Sequence, residues 1–141
     1  MSKRIMVIYY IFYLFLICLL SCTGEKNSTT STAYEITKSE AIQIVLSDII
    51  SSDTLEKGLY IFPEIINAGD SVYCTLSDTS YCVDYNSWFL FIDDFLTADW
   101  AHPCRFVFVD NSRRRYDIYP EMWPPQYYWD FRLEVVKEWH P

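Results

Sequence analysis

The stretch RFVFVDNSRRRYDIY, residues 105–119, decides the fold of this chain. Phe106 and Phe108 alternate with smaller residues before a polar Asp-Asn-Ser turn, and Tyr116 and Ile118 alternate after it. Alternation with a period of two is typical of a β-strand, and such a turn is typical of a hairpin. The stretch therefore predicts a β-hairpin, with three consecutive arginines as a solvated tip rather than a phosphate-binding site.

Similar short runs surround this hairpin and predict the rest of a sheet. They are rich in β-branched and aromatic residues and are separated by Gly, Pro, Asn and Asp. The predicted strands are residues 59–62, 71–74, 87–93, 104–110 and 115–120. The runs at 87–93 and 104–110 are nearly continuous in apolar residues, so we expect at least one central strand to be covered on both faces.

A helix precedes the predicted sheet. Thr37 and Glu40 fit the capping box, in which a hydroxyl and a carboxylate satisfy each other's backbone amides, so the helix should begin at Lys38. Apolar residues then recur at helical spacing until about residue 51: Ala41, Ile42, Val45, Leu46 and Ile49. The sequence predicts an α+β fold, a single domain over 35–141 with its N-terminal helix packed on a small antiparallel sheet.

The C-terminal tail that follows the Pro-Pro pair fits two periods. Helical spacing fits Trp129, Leu133 and Val136, whereas strand alternation fits Phe131, Leu133 and Val135. The length of the segment and its Glu, Arg and Lys content favour a helix slightly.

The N-terminal segment predicts export. Lys3 and Arg4 precede an apolar run at residues 5–20, which is the layout of a secretory signal. The run is shorter than the roughly 20 residues that a retained membrane span needs.

The end of this run, Leu19-Leu20-Ser21-Cys22, resembles the lipobox of bacterial lipoproteins. The resemblance implies cleavage after a signal peptide at 1–21 and lipidation of Cys22, so that acyl chains anchor the protein to the membrane. The alternative is an ordinary signal peptide cut nearby. Residues 22–34 are mostly small and polar and should form a flexible tether. Thr23, by resemblance to a known sorting pattern, implies the outer membrane of a Gram-negative cell envelope.

The charge of the mature chain excludes one class of partner. Without Lys3 and Arg4, nine basic residues stand against nineteen acidic residues, a net charge of about −10. Such a chain repels nucleic acid, so we expect no nucleic-acid partner.

The helix and the final hairpin together resemble the PepSY-type propeptide and inhibitor modules of secreted peptidases. The resemblance is carried by ITKSEAIQIV, residues 36–45, and by the RFVFVD strand with its turn. It departs at the turn, where the family commonly has Thr-Gly before an acidic residue and this chain has Ser112-Arg113-Arg114. The resemblance implies a cystatin-like domain that binds a partner, such as a peptidase, and performs no chemistry.

Three cysteines remain in an exported mature domain. Cys74 and Cys82 flank a turn-forming segment and are the favoured disulfide, with Cys82–Cys104 or no bridge as alternatives. His102 lies two residues before Cys104 and could activate its thiol, but a buried or disulfide-bonded Cys104 is the preferred interpretation.

No metal or cofactor site is expected. Asp93, Asp94, Asp99 and His102 are possible ligands, but they lack the spacing of an EF-hand or zinc site, and the aspartates suit strand and turn ends. With only three glycines in the chain, no Gly-rich phosphate loop is present.

The aromatic content, 18% of residues, is the unusual feature of the composition. We expect most aromatic residues to lie in the core and some to bind a partner or ligand. The candidate binding residues are Trp100, His102, Trp123, Tyr127, Tyr128 and Trp129.

We therefore expect a non-enzymatic, lipid-anchored binding domain. A protein partner such as a secreted peptidase is preferred. Surface glycan binding through the C-terminal aromatics is the alternative, and a hydrolase using His102 and Cys104 comes third.

Overall fold

A five-stranded antiparallel sheet carries the fold in a computed structural model, which describes residues 34–50, 56–74 and 76–140. The strands of this sheet are β1 (Gly58–Ile66), β4 (Ser87–Asp93), β5 (Cys104–Asp110), β6 (Tyr116–Glu121) and β7 (Glu134–Glu138), in the spatial order β6-β5-β4-β1-β7. A separate hairpin is formed by β2 (Ser71–Cys74) and β3 (Thr79–Cys82). The predicted signal peptide, Cys22 and most of the tether lie outside the described residues.

The helical elements are α1 (Lys38–Ile44), a π-helical continuation (Val45–Ile50) and a short helix α2 (Gln126–Trp129). Together with the sheet they confirm the predicted α+β class. Among the described residues, no helix is both long enough and apolar enough to cross a membrane.

The central hairpin forms as the opening stretch predicts. β5 pairs with β6 from Cys104↔Glu121 to Val109↔Tyr116, and its other edge pairs with β4 from Asp93↔Cys104 to Ser87↔Asp110. The bounds of β4 and β5 coincide with the predicted runs at 87–93 and 104–110. Both strands are buried almost throughout, which confirms that a central strand is covered on both faces.

The two faces of the sheet differ in side-chain type. Strand alternation places branched aliphatic residues on one face: Leu59, Ile61, Leu90, Ile92, Val107 and Val109. It places aromatic residues on the other: Tyr60, Phe62, Phe89, Phe91, Phe106 and Phe108. Ala41, Ile44 and Val45 of the helical segment cover the aliphatic face, while the β2–β3 hairpin and the segment around α2 cover the aromatic face.

The helix begins at Lys38 as predicted. The Thr37 backbone amide donates to Glu40 Oε2 at 2.8 Å, and the Glu40 amide donates to Thr37 Oγ1 at 3.3 Å, which completes the capping box. The π-helical turn changes the predicted apolar stripe. Its i to i+5 spacing places Ile50, which is 2% exposed, one turn after Val45, and leaves Ile49 only partly buried.

The preference for a helix in the C-terminal tail is wrong beyond α2. Residues Glu134–Glu138 form β7, which pairs with β1 through contacts such as Tyr60↔Val135. Without β7, one edge of β1 would have backbone N–H and C=O groups that lack hydrogen-bond partners. Pairing with this edge makes residues 134–138 a strand, although their apolar periodicity fits a helix as well. The sequence also assigns no strand to Thr79–Cys82, which form β3.

The tip of the β5–β6 hairpin is held by a buried carboxylate. Asp110 is 2% exposed and accepts hydrogen bonds from the Ser112 amide at 2.8 Å and from Arg115 at 2.9 Å. Burial alone would raise the pKa of Asp110, but the bonds from Ser112 and the charge of Arg115 outweigh it and hold this pKa below its ordinary value. Arg113, Arg114 and Arg115 are exposed, as expected for a solvated tip.

Phe106→Ala should lower the free energy of unfolding by about 3–5 kcal/mol, because it leaves a cavity among the rings of Tyr81, Phe89 and Phe91. Urea unfolding followed by circular dichroism measures the change. Ile118→Ala, on the same hairpin but 40% exposed, is the matched control and should cost less than about 1 kcal/mol. Equal losses in the two variants would contradict the assignment of Phe106 to the core.

Candidate functional site

Most of the candidate catalytic and metal-ligating residues lie at one end of the sheet. The β1 and β5 strands begin there, β4 and β6 end there, and residues 94–103 form the loop that joins β4 to β5. The segment from Met122 towards α2 lies beside this loop, because the His102 amide donates to the Met122 carbonyl oxygen at 3.1 Å.

His102 fixes the loop through both ring nitrogens. Nδ1 lies 2.6 Å from the Trp100 carbonyl oxygen, and Nε2 lies 3.0 Å from Oδ1 of Asp93. Both contacts lie within hydrogen-bonding distance, and the tautomer of the ring decides which nitrogen donates. His102 thus connects the loop to the end of β4.

The carboxylates beside His102 are also engaged. Asp93 is 4% exposed and accepts a second hydrogen bond, from the Phe95 amide at 2.9 Å. Asp94 accepts two bonds from Arg105, at 2.6 and 2.7 Å, and one from Lys57 at 3.0 Å. In the described part of the chain, no group of three or more His, Cys, Asp or Glu residues is arranged to hold a metal ion.

Large apolar side chains in this loop and at the start of the neighbouring segment are exposed to solvent. Trp100 is 82% exposed, and Phe95 and Met122 are each 47% exposed. Each has a backbone group bound to His102 or to its partner Asp93. We call Phe95, Trp100 and Met122 the apolar rim. Sequence reasoning found only Trp100 of these three, since nothing in the local pattern shows which apolar residues stay exposed.

Cys104 does not have the surroundings of a nucleophile. Its side chain is 1% exposed, and its Sγ–H donates to the Trp123 carbonyl oxygen at 3.3 Å. Burial, followed by the nearby charges of Asp93 and Glu121, raises the pKa of the thiol well above its ordinary value. The ring nitrogens of His102 are directed at Trp100 and Asp93, not at this sulfur.

The C-terminal aromatics divide between core and surface. Tyr127 stacks on Phe62 with ring centroids 4.6 Å apart, and Tyr128 meets Tyr60 edge-on at 5.6 Å. Trp123 is partly buried against the same cluster, whereas Trp129 is 49% exposed. Of the six candidate binding residues, Trp100 and Trp129 are therefore exposed, and His102 supports the exposed loop.

Two further surface features were not found from the sequence. Phe131 is 94% exposed and has a φ of 54°, a left-handed conformation that is uncommon for an aromatic residue. At the opposite end of the sheet, a groove of about 380 Å³ lies between Tyr34, α1 and Arg114. Its charged side chains are paired, Glu40 with Thr37 and Arg114 with Asp48.

The predicted Cys74–Cys82 disulfide is contradicted by the strand register. Cys74 lies opposite Thr79, and Cys82 lies opposite Ser71, so the two cysteines are three residue positions apart along the hairpin. That offset is about 10 Å, which exceeds the reach of a disulfide. Cys74 is buried, Cys82 is exposed, and neither is bridged in this structure.

Comparisons with protein-family models, with curated proteins and with solved structures found no match to this chain.

His102→Ala should lower the free energy of unfolding by about 1–3 kcal/mol, because it removes a hydrogen-bonding partner from the buried Asp93 carboxylate. Urea unfolding near neutral pH measures the loss. Asp99→Ala is the matched control, since Asp99 lies exposed in the same loop, and it should change stability by less than about 0.5 kcal/mol. If both variants behave alike, His102 does not fix the loop.

Proposed function

We propose that this protein is a lipid-anchored, extracytoplasmic binding domain that performs no chemistry and docks a protein partner on its apolar rim. The observation that carries the proposal is the exposure of Phe95, Trp100 and Met122 on loops fixed by the contact of His102 with the buried Asp93. Large aromatic and Met side chains are enriched where proteins meet.

The rim is suited to a protein partner because it is held in place before binding. Ordering a loop upon association costs free energy, and here the contacts of His102 and the hydrogen bond that Asp93 accepts from the Phe95 amide already order the loop in the folded protein. The net charge of about −10 favours a partner whose docking surface is basic around an apolar pocket.

A secreted peptidase is the first partner class to test. The resemblance to PepSY-type modules supports this choice, and it brings with it a cystatin-like arrangement of the capped helix against the antiparallel sheet. In that arrangement the protein acts as a propeptide-like inhibitor, which occupies a peptidase without being chemically changed.

The anchor is the second part of the proposal. The lipobox resemblance at Leu19-Leu20-Ser21-Cys22 supports lipidation of Cys22, and the polar residues that follow supply a tether. Thr23 supports the outer membrane of a Gram-negative envelope as the location.

Glycan binding is the second candidate, and the exposed indole of Trp100 favours it. A flat aromatic surface stacks on sugar rings. Tyr127 and Tyr128, however, are engaged with the aromatic core, which leaves few C-terminal aromatics for a sugar.

Trp100→Ala should reduce capture of the protein partner at least tenfold while leaving stability unchanged, because a truncated central anchor commonly costs about 2 kcal/mol or more of binding free energy. The measurement is crosslinking of the anchored protein in its own cells, followed by quantitative mass spectrometry of what is captured. Tyr34→Ala is the control, since Tyr34 is 65% exposed and lies at the opposite end of the sheet.

Each outcome assigns the site. Loss with Trp100→Ala alone, with a peptidase as the captured protein, supports the inhibitor proposal and calls for an inhibition assay. Loss with Tyr34→Ala alone would move the binding site to the groove beside α1. No captured protein, together with glycan-array binding that requires Trp100, would replace the protein partner with a glycan.

Cys22→Ser should move the protein from the membrane fraction to the soluble fraction and abolish the diacylglyceryl mass on the mature N-terminus, because the thiol is the proposed attachment point. Fractionation and intact-mass analysis measure both effects. Cys18→Ser is the matched control, since Cys18 lies in the discarded segment and should change neither readout. An unmodified wild-type Cys22 would refute the anchor without bearing on the rim.

A further inference from the structure

Two cysteines from different strands converge beneath the aromatic face. Cys74 is the last residue of β2 and Cys104 is the first residue of β5, and they are 0% and 1% exposed. The Cys74 Sγ–H and the Cys104 Sγ–H face the same acceptor, the Trp123 carbonyl oxygen, at 3.6 and 3.3 Å. The Cys74 sulfur also lies 3.5 Å from the Pro124 carbonyl oxygen.

We propose that Cys74 and Cys104 form a disulfide in the oxidised protein. Both sulfur atoms lie within hydrogen-bonding distance of one oxygen atom, so the two side chains already point to the same place from separate strands. The two distances to the shared oxygen place the sulfurs at most about 7 Å apart, and closing the bond requires both side chains to turn from the carbonyl towards each other until the S–S distance is about 2.05 Å.

Cys82 is excluded from this pair by its position. It is exposed at the open end of the β2–β3 hairpin, opposite Ser71, while Cys74 is buried at the other end. Of the three cysteines in the described domain, the two buried ones thus form the proposed pair and the exposed one remains a thiol.

The oxidation balances with a disulfide oxidant such as oxidised glutathione. The Cys74 and Cys104 thiols lose two protons and two electrons and form one S–S bond, while the S–S bond of the oxidant breaks and yields two thiols. Because both sulfurs are buried in the folded domain, the bond forms while the chain folds. In the cell this requires the proposed export, but refolding in a glutathione buffer tests it independently.

The bond would link the β2–β3 hairpin to the central sheet. The hairpin covers the aromatic face but pairs as a separate two-stranded sheet, so packing and side-chain contacts such as the hydrogen bond from the Tyr81 hydroxyl to Glu121 hold it there. Cross-linking residues 74 and 104 restricts the unfolded chain over a loop of about 30 residues, and we expect it to raise the melting temperature by roughly 10 °C relative to the reduced protein.

The experiment is a disulfide map of the full chain refolded with oxidised and reduced glutathione. Free thiols are first blocked with N-ethylmaleimide, and the protein is then digested with chymotrypsin and analysed by mass spectrometry. Trypsin is unsuitable because no Lys or Arg lies between Lys57 and Arg105, so Cys74, Cys82 and Cys104 stay in one peptide. Chymotrypsin separates them by cutting after aromatic residues such as Tyr81 and Trp100.

The expected result is a Cys74 peptide linked to a Cys104 peptide, with Cys82 carrying the maleimide. Cys82→Ser should retain both the link and the higher melting temperature, whereas Cys74→Ser should lose both. A link from Cys82 to Cys74 or to Cys104, or maleimide on Cys74, Cys82 and Cys104 after refolding, would overturn the proposal. The wild-type map decides the matter even if Cys74→Ser fails to fold.

Discussion

The antiparallel pairing of β4 with β5 is the interaction on which the rest of the structure depends. Its register runs without interruption from Ser87↔Asp110 to Asp93↔Cys104, and both strands are buried on both faces. A strand buried on both sides needs a covering layer on each face. The helix supplies one layer and the β2–β3 hairpin with the segment around α2 supplies the other, so three layers follow from one pair of strands.

The segregation of side chains by type follows from the same pairing. Each central strand alternates Phe with a branched aliphatic residue, and the register aligns Phe89 with Phe108, Phe91 with Phe106 and Leu90 with Val107. Flat rings then meet the rings of Tyr81, Tyr127 and Tyr128, while the narrower aliphatic residues leave room for a helix. Among the described residues, this arrangement packs most of the aromatic side chains into or against the core.

Both central strands end in a buried aspartate, but the connections that follow the two aspartates differ. Asp93 ends β4 and Asp110 ends β5, each is buried, and each accepts a hydrogen bond from the backbone amide two residues later, that of Phe95 or Ser112. At Asp110 the charge partner is Arg115, and the result is a short, polar hairpin tip. At Asp93 the partner is His102, eight residues beyond the bend at Asp94, and the longer loop between them carries the apolar rim.

Local signals in the sequence were sufficient for the elements whose cause is local. The Thr37–Glu40 capping box determined where the helix begins, and apolar alternation determined the bounds of β4 and β5, because caps and alternation act within a few residues. The tertiary structure alone decided β7, the π-helical shift to Ile50, the separation of Cys74 from Cys82 and the exposure of the rim. β7 and the π-helical shift depend on partners distant in sequence, the open edge of β1 and the aliphatic face. The separation of the cysteines and the exposure of the rim depend on the register of β2 with β3 and on the contact between His102 and Asp93, which no local pattern specifies.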